Sequence, residues 1–333
     1  MQDPILVEVM RGGLVESRHA GAVAVVDAKG GLVLGLGDID RPVFPRSAVK
    51  VIQALPMVES GAASRFGLDQ EELALTCASH GGEPRHVAVA RGVLAKLGLE
   101  PDCLECGVQW PSTTSASQAL ARAGEKPSAL HNNCSGKHSG FLCLACDLGA
   151  PPPGYVLADH PVQRRVTATL SEVTGARLDE TNRGIDGCSI PTYAMPLRAV
   201  ALGFARIGTG EGLHPDRADA ARQLRRAVAE HPFLVAGTRR FDTVVMEALG
   251  ERAFLKVGAE GVYTAALPEL GLGVALKCDD GAKRGAEALM AALLLRLLPL
   301  SDAEAAVVRP LAEPVLKNWN GLEVGRVRPV LPA

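Results

Sequence analysis

Aromatic residues are scarce. Phe, Tyr and Trp make up 4% of the 333 residues, so the core has to be packed mainly from aliphatic side chains, and Ala, Val and Leu are plentiful. No run of Lys and Arg disturbs a nearly balanced charge of -2, which argues against nucleic acid or an anionic membrane surface as a partner. No apolar stretch reaches the ~20 residues needed to span a bilayer. The most apolar one, Ala288 to Leu300, is too short, contains Arg296 and reads as a buried helix. Met1 to Gly13 lacks a long apolar core and carries Asp3, Glu8 and Arg11. It does not read as a signal peptide, so a cytoplasmic protein is expected. Neither a solenoid repeat nor a low-complexity linker divides the chain. Pro151-Pro152-Pro153-Gly154 follows a helix stop at Gly149 and reads as a turn. One domain over residues 1–333 is the expectation.

With 47% hydrophobic and 22% charged residues, the composition is that of an ordinary globular protein. Without a secretion signal, its eight cysteines read as thiols or metal ligands rather than a disulfide framework. Two C-x-x-C pairs, Cys103/Cys106 and Cys143/Cys146, suggest a zinc ribbon when taken alone. The second pair lies in the apolar helical run Gly140-Phe-Leu-Cys-Leu-Ala-Cys-Asp-Leu, and small buried hydrophobes account better for most of these thiols.

Strands are expected at Leu6–Met10, His19–Asp27 and Gly31–Leu36, with a hairpin turn at Ala28-Lys-Gly-Gly. Three more follow at Ala253–Val257, Val262–Ala266 and Gly273–Lys277. The middle reads as helices: Arg46–Ser60, Asp69–Ala78, Pro84–Leu97, Ser139–Leu148, Pro161–Thr174, Tyr193–Ile207 and Arg217–Glu230, with Lys283–Leu298 after the last strand. Strands at both ends around a helical middle predict an α+β fold, with one mixed, mainly antiparallel sheet flanked by helices.

Ser47-Ala-Val-Lys50 is the first constellation with chemistry in it. Residues three apart share a helix face, so Ser47 and Lys50 can approach each other, and a serine in a first helical turn lies near free N–H groups. Lysine can activate serine only when neutral, which takes burial and a cationic neighbour such as Arg46. Most S-x-x-K copies are solvated pairs, but the apolar sequel Val51-Ile-Gln-Ala-Leu-Pro-Met makes this helix buried. Ser79 precedes Gly81-Gly82, whose backbones can approach a ligand closely; taken alone it reads as a helix cap. Lys256, in Phe254-Leu-Lys-Val-Gly258, is costly in an apolar strand unless it faces a polar site. A K-x-G strand with an S-x-x-K helix resembles the penicillin-recognising serine enzymes, although their S-D-N element is missing.

His131-Asn-Asn-Cys134-Ser-Gly-Lys137-His-Ser-Gly140 is the densest polar run. A P-loop would need glycine where His131 stands and Ser or Thr where His138 stands, so nucleotide binding is excluded. Gly184-Ile-Asp186-Gly-Cys188 adds a carboxylate and a thiol. Together with Arg46-Ser47-Ala-Val-Lys50, Ser79-His-Gly-Gly-Glu83 and Lys256-Val-Gly-Ala-Glu-Gly261, these segments resemble the rhizobial-type (class 3) L-asparaginases, the asparaginase II or thermolabile family. The resemblance implies a fold like serine β-lactamases and penicillin-binding proteins, a homodimer, and hydrolysis of L-asparagine to aspartate and ammonia. It implies two Ser-Lys tandems, Ser47 with Lys50 and Ser79 with Lys256. It also implies a Zn²⁺ site at Cys134, Lys137 and Cys188, and substrate contacts from Arg46, His138 and Asp186. Two thiolates make a credible soft half-site; lysine must shed a proton to ligate, so pH-dependent occupancy is expected. Ser47 is the expected nucleophile, with Ser79 as the alternative. A glutaminase or penicillin-recognising acyl-transferase on the same scaffold, and a non-catalytic zinc-binding protein, are the other readings.

Overall fold

Strand β1 (Ile5–Arg11) folds back through Gly12-Gly13 into the long strand β2 (Leu14–Asp27). The first half of β2 alternates exposed and half-buried residues, whereas Gly21 to Val26 are all buried. The change follows from what lies alongside. The first half pairs with β1, and the second half is flanked by β3 (Leu32–Leu36) and by β6 (Leu272–Cys278). Strand β4 (Phe254–Val257) and strand β5 (Val262–Leu267) extend the sheet beyond β6, while β7 (Val315–Lys317) and β8 (Glu323–Pro329) close its other end. The order is β7-β8-β1-β2-β6-β5-β4, with β3 on β2, and every pairing is antiparallel. The structure, a computed structural model, describes residues 3–332, so residues 1, 2 and 333 of the expected unit lie outside it.

Helix α1 (Lys50–Glu59) is the hub of the helical layer. Every residue from Lys50 to Val58 is buried, as expected of a helix surrounded by others. It packs against α4 (Ser135–Asp147), α5 (Pro161–Thr174) and α7 (Pro215–Glu230). Between them lie α2 (Gln70–Thr76), capped by Asp69, and α3 (Pro84–Lys96). Helix α6 (Leu197–Thr209) and helix α9 (Lys283–Leu297) pack on the central strands, so β5 is buried along its whole length. The aliphatic run in α9 is core, and among the described residues no helix is long and apolar enough to cross a membrane.

The α+β class and the six expected strands are present. Three helices start elsewhere than expected. Helix α1 begins at Lys50, after a 3₁₀ turn over Arg46–Val49. Helix α4 begins at Ser135, four residues early, and α6 begins at Leu197, because Pro191–Tyr193 and Met195–Pro196 form short ribbons instead. Helices α8 (Phe241–Leu249) and α10 (Asp302–Ala312) and strands β7 and β8 were not expected.

Gly136 lets α4 lie against the end of α2, because a Cβ there would overlap the Leu75 backbone carbonyl. Gly136→Ala should therefore cost about 1–3 kcal/mol through overpacking, read as a lower thermal midpoint. Gly13→Ala, with nothing within 4 Å of the new carbon, should leave the midpoint nearly unchanged. Equal midpoints for the two variants would contradict the close approach.

Candidate active site

Three elements bring two lysines to one serine. Lys50 opens α1, Ser79 follows α2 in a loop held by its own N–H donating to the Val235 carbonyl at 2.8 Å, and Lys256 lies on β4. Lys50 Nζ donates to Ser79 Oγ at 3.0 Å, and Lys256 Nζ lies 2.9 Å from the same oxygen. Both lysines have no exposed surface, and Ser79 retains 7%.

The two amines have different surroundings. Lys50 Nζ faces acceptors on all sides: the Ala78 carbonyl at 2.5 Å, the Cys134 thiol at 3.1 Å and the Asn133 carbonyl at 3.5 Å, besides Ser79. Lys256 has the Val257 carbonyl at 2.9 Å and Ser79. Burial, opposed by Asp242 and reinforced by the charges of Lys50 and Arg240, lowers the Lys256 amine to about 7. Asp242 is fully buried with both oxygens engaged, one by the Val257 N–H at 3.0 Å and the other by the Tyr263 hydroxyl at 2.6 Å. A buried carboxylate held this way fixes the end of β4, and with it Lys256.

Ser47 shares a cavity of about 190 Å³ with Ser79, and Asn133, Gly258, Ala259 and Arg240 also line it. The cavity is smaller than the roughly 300–1,000 Å³ typical of drug-sized ligands. A larger groove of about 610 Å³ between α3 and residues 114–122 is mostly apolar, with Arg91, Glu125 and His131 among its lining residues and neither Ser47 nor Ser79 on its wall. The turn carrying Ser47 is a 3₁₀ turn, Arg46–Val49, and the α-helix starts only at Lys50. Among the described residues no hydrogen bond joins the Ser47 hydroxyl to the Lys50 amine, which is drawn instead to the Ala78 and Ser79 oxygens. Ser47 and Ala259 both line this cavity, and neither backbone N–H has a protein acceptor among those residues. Gly258 permits this approach, since a Cβ there would meet the Pro45 carbonyl at 2.6 Å.

Arg46, immediately before Ser47, holds a left-handed φ of 53°, a costly conformation for a residue with a side chain. Its Nε donates to Asp186 Oδ1 at 2.6 Å. Burial works to raise the Asp186 carboxyl, and Lys137 and Arg46 outweigh it, so the group stays below its usual range. Arg46 lines a neighbouring cavity of about 290 Å³, and neither Arg46, Asp186 nor His138 is on the wall shared by Ser47 and Ser79. His138 is fully buried in α4, with its Nδ1 2.6 Å from the Tyr155 hydroxyl. Tyr155 also accepts from the Glu105 N–H, and His138 Nε2 has no partner among the described residues.

Cys134, Lys137 and Cys188 come together, each at most 4% exposed. Lys137 Nζ donates to Cys188 Sγ at 3.0 Å. A hydrogen bond from Cys188, aided by Lys137 and Lys50 against burial, holds the Cys134 thiol well below its ordinary range, and the same bond raises Cys188. Burial lowers Lys137, but Cys134, Cys188 and Asp186 outweigh it and keep the amine above its usual value. Two sulfurs and one nitrogen are donor types that zinc takes; a tetrahedral ion would set nitrogen and sulfur about 3.5 Å apart, against 3.0 Å for the Lys137–Cys188 contact. Among the described residues no group of three or more His, Cys, Asp or Glu side chains is arranged for a metal. This includes the C-x-x-C cysteines: burial raises the Cys106 and Cys143 thiols to about 12, so both are neutral hydrophobes.

Several participants carried no sequence signal. Asn133 offers only its carbonyl, and Asp242, Tyr263 and Arg240 sit in segments without a recognisable motif. His80, which the sequence leaves open as a ligand, a base or polar surface, is 1% exposed. Its Nδ1 accepts from the Gly82 N–H at 3.1 Å, and its Nε2 pairs with the Ser135 hydroxyl at 2.9 Å.

Three solved structures illustrate what the fold is similar to. A β-lactamase from Mycobacterium bovis is 16% identical, with 83% of this chain and 94% of that one aligned at a TM-score of 0.42. D-alanine carboxypeptidase AmpC from Burkholderia cenocepacia is 12% identical over 84% and 93%, at 0.40. A mutant simvastatin synthase from Aspergillus terreus is 10% identical over 78% and 86%, at 0.37. At such scores none of them carries chemistry across. No curated protein matches the sequence. The family described as L-asparaginase II, in contrast, matches residues 7–329. That is nearly the full length of the chain, which belongs to the L-asparaginase II family.

Proposed function

We propose that this hydrolase cleaves the side-chain amide of L-asparagine to L-aspartate and ammonia by serine–lysine acyl transfer. The observation that carries the reading is the Ser79 hydroxyl between two buried amines, one of them lowered to about 7. An amine in that range is partly neutral at working pH and can accept a hydroxyl proton. Ser47, half-buried on the same cavity, attacks the amide carbon as its proton passes through the Ser79 hydroxyl to Lys256. The Ser47 and Ala259 N–H groups receive the oxyanion. The C–N bond then breaks, ammonia leaves with a proton returned by Lys256, and a water repeats the sequence to free the aspartate.

A second reading has Ser79 as the nucleophile, because its hydroxyl makes the direct bond to the base. Either way Lys50 acts as a donor, holding the Ser79 oxygen and biasing Lys256 toward neutrality. We further propose that Cys134, Lys137 and Cys188 hold Zn²⁺, which when bound supplies a fixed positive charge for orienting substrate. Arg46 and Asp186 brace the Ser47 turn from that side. A homodimer acting in the cytoplasm completes the proposal.

Lys256→Met should lower kcat at least about 1,000-fold. It should also raise the thermal midpoint near pH 7, because a buried amine forced toward neutrality no longer opposes folding. Wild-type kcat/KM for asparagine should rise with pH through about 7, the range where the Lys256 amine loses its proton, and then level off. A flat profile from pH 6 to 9 contradicts the assignment of the base.

Ser47→Ala and Ser79→Ala should each cost at least about 1,000-fold in ammonia release. Mass spectrometry of acid-quenched enzyme should place the acyl group on Ser47. A label on Ser79 selects the second reading, and wild-type turnover in both variants removes the serine mechanism.

Zinc binding requires protons to leave Cys188 and Lys137, so metal content after dialysis should rise from pH 6 to 8. Cys188→Ser should lose metal across that range. Retention of a full equivalent by Cys188→Ser rejects the donor set.

A further inference from the structure

Arg240 is a cation on the cavity wall without a counter-ion. It precedes α8, in a loop whose position is fixed: the Glu83 carboxylate accepts from the Thr238 N–H at 2.9 Å and from its hydroxyl at 2.6 Å. The Arg240 side chain has no salt bridge or hydrogen bond among the described residues, and its Nε is buried without a partner. Asp242 is unavailable, since the Val257 N–H and the Tyr263 hydroxyl occupy its oxygens. The other cation on the wall, Lys283, is 3.2 Å from Glu287 and so is already paired. No Asp or Glu lines the cavity.

A guanidinium with a desolvated, unpaired N–H is costly unless a ligand satisfies it. Its planar fork of donors matches a carboxylate in a bidentate pair. Arg240 and Ser79 line the same cavity of about 190 Å³, so an anion seated on Arg240 shares that space with the Ser79 hydroxyl.

We propose that Arg240 captures the free carboxylate of the substrate, so that this cavity selects carboxylate-bearing amides and makes no ion pair with an α-ammonium. The proposal rests on the amide-hydrolase reading of the site. It makes the carboxylate, not the amine, the handle that carries specificity. Succinamate, which is asparagine without its α-amine, should remain a substrate. 3-Aminopropanamide, which is asparagine without its carboxylate, should be a poor one.

Titration calorimetry of the full chain with succinate, independent of turnover, tests the anchor. Succinate should bind the wild type, and Arg240→Gln should weaken it by about 30-fold or more, the loss expected for a charge-assisted bidentate pair. Arg240→Lys should recover part of the affinity, and thermal melts should show all three proteins folded. In ammonia release, Arg240→Gln should raise KM for asparagine by a much larger factor than KM for 3-aminopropanamide, which has no carboxylate to lose. Equal succinate affinity in wild type and Arg240→Gln, or no binding by wild type, overturns the anchor. Binding that depends on Arg240 in a protein releasing no ammonia from asparagine supports the anchor and sinks the amidase reading instead.

Discussion

The structure depends on a lysine amine kept out of water beside a hydroxyl. Lowering Lys256 from an ordinary lysine value to about 7 sets its charged form back by about 5 kcal/mol, comparable to the whole net stability of many domains. That cost has to be met by packing elsewhere. Much of the architecture meets it locally: β4 is clamped by the Asp242 carboxylate, Gly258 lets the Ser47 turn close over it, and α1 is buried along nearly its whole length.

Three buried lysines within one site show how surroundings decide what the same side chain does. Lys50 is ringed by carbonyl, hydroxyl and thiol acceptors and serves as a fixed donor. Lys137 faces two sulfurs and a nearby carboxylate, which hold its proton more tightly than usual. Lys256 has two other cations close by and a single carboxylate already committed to other donors, and its amine is lowered to about 7. The same residue type is therefore held tightly protonated at Lys137 and shifted toward neutrality at Lys256 through placement alone.

The fold class was legible in the sequence because alternating Val, Leu and Ala runs flank a helical middle, and each expected strand pairs in the sheet. The last two strands escaped notice, since Val315–Lys317 and Glu323–Pro329 carry charges and prolines and show mixed burial. Lys256 could be singled out because a charge in an apolar strand is expensive. Its pairing with Ser79 could be named only through family resemblance. Local spacing joined Ser47 to Lys50, and there the sequence misled: Ala78 and Asn133, from two other elements, decide where the Lys50 amine points. Arg240 and Asp242 were invisible because their importance lies in what surrounds them in space. The thiol cluster was legible as residue types, whereas the opposite shifts of the Cys134 and Cys188 thiols became apparent only with the two brought together.

The most direct test of the account is a pH titration of the lysine side chains by NMR, with ¹⁵N-labelled lysine and Lys256→Met to assign the signal. One amine, missing from the variant, should lose its proton near pH 7 while exposed lysines titrate above about 10. If the Lys256 signal stays protonated through pH 9, the site has no base and the account fails.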